Sequence, residues 1–256
     1  MNPKHLKTLI LLLTFIAIVT MSFAAPMAQD VHYHDFADQR TIISIPNFWN
    51  VVTNLGFLYV GVLGLYRLHV ARNLTTMREM QLGYTVFLFG VALVAFGSGF
   101  YHWHPDNDSL IWDRLPMTIA FMGLLAVVLS EFLSVAWGTR ALKPILLLGA
   151  SSALYWYWGE RHGQGDLRLY VLVQFFPILL MLVLFVLGKN VFDTLAGYKG
   201  LLVFYLLAKF TEEFDHQIFA WTGGLISGHS LKHLLAAVGV YVLLACFGQR
   251  RLNIFR

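Results

Sequence analysis

Five residues in two stretches of the chain have types and spacings that could do chemistry. In GSGFYHWHPDNDSLIWDRLPM, residues 97–117, Ser98 and His102 are four apart and Asp113 follows from the next apolar segment. On a helix a four-residue spacing puts two side chains on one face, about one turn from each other. In HSLKH, His229 and His233 repeat that spacing where a later apolar segment begins. Three histidines and a carboxylate are the set a catalytic zinc needs: three protein ligands, an open fourth position for water, and an acid–base neighbour. A histidine pair alone would serve structural hydrogen bonding equally well. The metal reading rests on His102 and Asp113 reaching the same depth as the pair.

The elements that must bring these residues together are membrane helices. Of the 256 residues, 58% are apolar, 15% aromatic and only 12% charged, outside the range of soluble globular domains. Residues 1–25 read as a signal peptide: Lys4 and Lys7 precede an apolar run over 9–19, and Ser22, Ala24 and Ala25 supply small residues for cleavage. The alternative is an uncleaved first helix. A polar, aromatic-rich lead-in follows at 26–47. Its Asp35, Asp38 and Asn47 are oxygen ligands of the kind calcium takes, although the residues alone favour a plain extramembrane segment. Seven apolar segments then occupy 48–248, at 48–68, 82–103, 110–133, 142–158, 169–187, 200–219 and 229–247, each near the roughly 20 residues that cross a bilayer. No alternation of the strand kind is sustained, so the expected fold is an all-α integral membrane bundle of seven transmembrane helices with a short tail at 249–256.

Charge orders the segments across the membrane. Arg67, Arg72, Arg78, Arg140, Lys143, Lys189, Lys199, Arg250, Arg251 and Arg256 fall on one side, against Arg40, Arg161 and Arg168 in the loops of the other. The first side is expected to be cytoplasmic, with the C-terminus there. His102, Asp113, His229 and His233 then all lie at the non-cytoplasmic end. Lys209, Glu212, Glu213, Asp215 and His216 crowd the same end, where the carboxylates are expected to pair with Arg114, Lys209 or Lys232. His69, His104 and His162 read as wetted interfacial residues. The net charge of +4 is scattered through short loops, a pattern that fits membrane topology better than a phosphate-tracking surface and sets nucleic acid aside. The single cysteine, Cys246, excludes an intramolecular disulfide and a cysteine-based zinc site.

NFWNVVTNLGFLYVGVLGLYRL, GSGFYHWHPDNDSLIWDRLPM and HSLKHLLAAVGVYVLL together resemble the alkaline ceramidase family, within the seven-helix membrane hydrolases that also include the adiponectin and progestin receptor relatives. The likeness covers nearly everything after residue 30, and the signal segment and short loops look like a bacterial member. It implies an intramembrane zinc held by His102, His229 and His233, and hydrolysis of ceramide or another N-acyl lipid to a fatty acid and an amine. Asp113 would be the proton carrier, and Ser98 a stabiliser of the developing oxyanion. Eukaryotic members also carry a calcium site that includes a Glu directly before Phe-Trp-Asn; here that position is Asn47, with Asp35 and Asp38 nearby. The readings from other classes are a b-type cytochrome with histidine axial ligands, a receptor or transporter, and a serine hydrolase built on Ser98.

Overall fold

The computed structural model describes residues 2–253. It is all-helical, with no strand among the described residues. The helices are α1 (Pro3–Phe23), α2 (Phe48–Val52), α3 (Leu55–His69), α4 (Gln81–Trp103), α5 (Asn107–Phe132), α6 (Val135–Arg161), α7 (Arg168–Leu187), α8 (Ala196–Glu213), α9 (Asp215–Trp221) and α10 (Gly228–Gln249). Among the described residues six spans are long and apolar enough to cross a membrane: α1, α2 with α3, α4 with the turn before it, α5, α7 and α10. The expected segments at 142–158 and 200–219 are helical but fall outside that set. The first lies within the longer α6, and Arg140, Lys143, Glu160 and Arg161 polarise its ends. The second breaks at Phe214 into α8 and α9, and α8 carries Lys199, Lys209, Glu212 and Glu213.

The bundle is built around α5, whose Leu125, Ala126, Val127 and Val128 are all buried. Its neighbours come close because small residues face them. A Cβ on Gly90 of α4 would sit 2.6 Å from the Ala120 backbone nitrogen, and one on Gly97 would overlap the Trp112 carbonyl. These contacts press α4 and α5 backbone to backbone on the approach to Ser98. α1 packs against α7 through Leu6 and Ile10, while Leu11, Phe15 and Ile18 stay exposed. α7 is held by α5 and α6, and α8 by α10, so α7 and α8 scarcely touch each other.

Two helix starts that matter for the site are capped by short polar side chains. At α5, Asp106 accepts from the Ser109 N–H at 2.6 Å, and the Ser109 hydroxyl accepts from the Asp106 N–H at 3.1 Å. The same hydroxyl donates to the His104 carbonyl, closing the turn between α4 and α5. At α10, Ser227 accepts from the Ser230 N–H at 3.1 Å. Such caps, reciprocal at α5, satisfy backbone donors that apolar surroundings would otherwise strand.

The far end of the bundle holds a buried ion pair. Arg250, just beyond α10, donates to both oxygens of Glu131 on α5 at 2.8 and 2.9 Å, and the two are 4% and 0% exposed. Tyr84 of α4 and Tyr198 of α8 donate their hydroxyls to the same carboxylate. Arg250 Nε donates to the Thr75 carbonyl at 2.8 Å, and the Phe192 and Phe247 rings lie 3.6 and 3.8 Å from the guanidinium carbon.

Candidate metal centre

At the opposite end, the last turn of α4 delivers Ser98 and His102, the first turns of α5 deliver Asp113, and the start of α10 delivers His229 and His233. All five side chains are buried. The three imidazoles meet at centroid separations of 4.7, 5.0 and 5.0 Å, and one ligand atom from each lies within 4.8 Å of the others. His102 Nε2 and His229 Nε2 are 3.2 Å apart. Two nitrogens bound at about 2.0–2.1 Å with tetrahedral angles stand roughly 3.3–3.4 Å from each other, so the spacing suits one shared metal ion.

The protonation of His233 follows from its neighbour. Thr53 has one hydroxyl hydrogen, and it goes to the Trp49 carbonyl at 2.6 Å. At the 3.0 Å contact with His233 Nδ1 the hydroxyl is therefore the acceptor and Nδ1–H the donor. That leaves Nε2 with its lone pair free, the tautomer a metal needs. His102 Nδ1 is buried with no hydrogen-bond partner among the described residues. The donor set, its burial and the free lone pair of His233 fit a transition metal that accepts imidazole nitrogen.

Several residues support the histidines in roles that the sequence reading did not give them. Asp215 accepts from the His229 N–H at 2.7 Å and from the Ala37 N–H at 2.9 Å, so it fixes the start of α10 against the lead-in. Asn50 accepts from the Ser230 hydroxyl at 2.7 Å. Asn47 donates to the His102 carbonyl at 2.9 Å from a left-handed backbone conformation, φ 45°. Phe36 lies over the histidines, its centroid 4.8 Å from His102 and 4.5 Å from His229. A signal for part of this was present: Asn47, Asn50, Thr53 and Asn54 recur at helical spacing in an otherwise apolar stretch, and all four are buried.

The three candidate calcium ligands have separate partners. Asp38 binds Arg40 through both oxygens at 2.6 and 2.8 Å, Asp35 is exposed beside Gln39, and the Asn47 amide nitrogen is turned to His102. Glu212 pairs with Lys209 and Lys232 at 2.5 and 2.9 Å, the expected arrangement. Among the described residues Arg114 takes no carboxylate, and Asp215 serves backbone groups instead. His69, His104 and His162 are exposed.

A cavity of about 390 Å³ opens beside the histidines, with Ser98, Asp113 and His233 on its wall. Arg114, Lys209, Glu212 and Lys232 line the same region, and the Ser98 hydroxyl approaches the Asp113 carboxylate. Away from these the walls are mainly apolar, interrupted by Gln174 and Tyr205, and are formed by α4, α5, α7, α8 and α10, reaching Phe185 and Tyr198. From Asp113 to Leu124 the wall of α5 alone extends roughly 16 Å at the helical rise. No family model matches the chain, and no curated protein matches it.

Proposed function

We propose that the chain is a zinc-dependent intramembrane hydrolase of lipid amides, cleaving ceramide or a related N-acyl lipid to a fatty acid and an amine. The observation that carries this reading is the junction of a three-histidine centre with a long apolar cavity whose wall holds Asp113 and Ser98. A metal cluster alone would suit a structural site; an acyl-sized cavity alone would suit a carrier. Their shared wall is what an enzyme for a long-chain amide needs. In this reading α3 to α8 and α10 are the seven crossings and α1 is a leader segment. The site lies at the non-cytoplasmic face. The gap between α7 and α8 is the route by which a chain reaches the cavity from the lipid.

His102, His229 and His233 would hold the zinc as neutral imidazoles, with the His233 tautomer set by Thr53. Zinc in such a site supplies Lewis acidity that activates water near neutral pH. Asp113 takes a proton from the attacking water and delivers it to the amide nitrogen as the C–N bond breaks. The hydroxyl of water joins the acyl carbon. Ser98 donates its hydroxyl hydrogen to the oxygen on which negative charge develops. Apolar walls keep bulk water from the acyl chain and strengthen these electrostatic contacts. A bis-histidine haem would need a flat slot between two opposed rings, and three converging imidazoles do not favour it.

Metal content of the detergent-purified chain, measured beside His229→Ala, tests the reading. About one zinc per chain is expected, absent from the variant, together with chelator-sensitive release of fatty acid from an N-acyl lipid. No zinc in either protein, or hydrolysis indifferent to chelator, overturns it.

A further inference from the structure

The charges of the cavity are unevenly matched. Arg114, Lys209 and Lys232 line it against Asp113 and Glu212, and both lysines are bound to Glu212. Arg114 is 4% exposed and has no carboxylate partner among the described residues. Its Nη2 donates to Gln29 at 2.5 Å, and its Nη1 is buried with no partner. The Trp156 and Tyr170 rings lie 4.0 and 4.8 Å from the guanidinium carbon. Arg250 shows what the same chain does when it means to neutralise such a group. There too aromatic rings flank the guanidinium, but Glu131 takes its donors in a two-pronged pair. At Arg114 the aromatic setting is present and the carboxylate is missing. A buried guanidinium with unused donors is costly unless something supplies the acceptor.

We propose that a lipid carboxylate supplies it, and that Arg114 is a specificity-determining residue for an acyl lipid carrying one carboxylate. A single unpaired guanidinium matches a monoanion, and its planar donors match a carboxylate. A dianionic phosphate would call on Lys209 and Lys232, which Glu212 already holds. Three neutral histidines leave any bound metal's charge uncancelled, which further favours an anion in this cavity. The carboxylate is either on the amine side, as in an N-acyl amino acid, or is the acid group of a fatty acid. This inference rests on the proposed lipid-binding role of the cavity and names the lipid class within it.

The test is displacement of a neutral fluorescent acyl amide from the detergent-purified chain, in incubations short relative to turnover. N-palmitoylglycine is compared with N-palmitoylethanolamine, and palmitate with hexadecanol. One carboxylate lipid should bind roughly 10- to 100-fold more tightly than its neutral counterpart, the range of a charge-assisted bond. That preference should vanish in Arg114→Gln and survive in part in Arg114→Lys. A gain in the first pair puts the carboxylate on the amine side, and a gain in the second puts it on the acid. Equal affinities within both pairs for the unmodified chain overturn the assignment without recourse to a variant. A preference unchanged in both Arg114 variants overturns it too. If no acyl lipid displaces the probe and none holds it, the lipid reading of the cavity falls with it; if neutral and anionic lipids bind alike, only the role of Arg114 falls.

Discussion

The two ends of this bundle bury ionisable groups in opposite ways. At the Glu131–Arg250 end both carboxylate oxygens and all three guanidinium nitrogens have partners, contributed by α4, α5, α8, the segment after α10 and the connection before α4. At the histidine end His102 Nδ1 and Arg114 Nη1 are buried without partners among the described residues, and three imidazoles converge on one point. At the saturated end the charged groups have spent their donors and acceptors on one another and on their neighbours. The unsaturated end has unfilled capacity, and stability at that end is lowered to keep it. The apolar cavity runs between them, with Asp113 near one limit and Tyr198 near the other.

Breaking the saturated end should have the largest effect on stability. Arg250→Met leaves Glu131, 0% exposed, as an uncompensated buried carboxylate shared only by two tyrosines. Removing one member of such a pair costs about 3–5 kcal/mol, so the melting temperature in detergent should fall on the order of 10 °C. Adding Glu131→Gln removes the charge, and its amide can accept from one tyrosine hydroxyl and donate to the other, so it should restore more than half of the loss. A single variant that melts with the parent chain would show that the cluster is not the clamp its geometry suggests.

How much of each end was legible in the sequence differs for the same physical reason. Ser98, His102, His229 and His233 were legible because the two four-residue spacings interrupt apolar segments at their ends, where polar atoms are conspicuous. Glu131 is equally conspicuous within LLAVVLSEF, but Arg250 lies 119 residues away and nothing local pairs them. The helical segments were read from length and hydropathy. The break at Phe214 was not, because it comes from a tertiary demand: Asp215 must turn to cap the His229 N–H and meet Ala37. The charged ends of α6 and α8 likewise thin the hydropathy of two helices that are otherwise long. Thr53 was hidden in plain sight, since a threonine on a membrane helix commonly bonds back to its own turn and gives no sign that it also meets a histidine.

That threonine provides the intermediate test of the comparison. Thr53→Val keeps shape and volume but deletes the acceptor that fixes His233 Nδ1–H. Loss of such an outer partner typically weakens metal binding about 10- to 100-fold. Competition for zinc against a chelator of known affinity should show that drop with little change in melting temperature of the metal-free chain. A zinc affinity equal to that of the parent would mean that Thr53 does not set the tautomer.

The smallest effect should come from repeating the first substitution at the unsaturated end. Arg114→Met removes a guanidinium as deeply buried as Arg250, 4% exposed in each case, and from a comparable aromatic setting. It strands no carboxylate, because none is bound; only the Gln29 amide loses a partner, and its nitrogen keeps the Asp30 carbonyl at 3.3 Å. Replacing a buried, incompletely paired charge by an apolar side chain of similar length is often neutral or stabilising. The expected change is within about 1 kcal/mol, in either direction, measured by the same detergent melts as Arg250→Met. Equal destabilisation by the two substitutions would mean that Arg114 is held by the fold as firmly as Arg250. The contrast between a saturated end and one kept open for a ligand would then have no energetic basis.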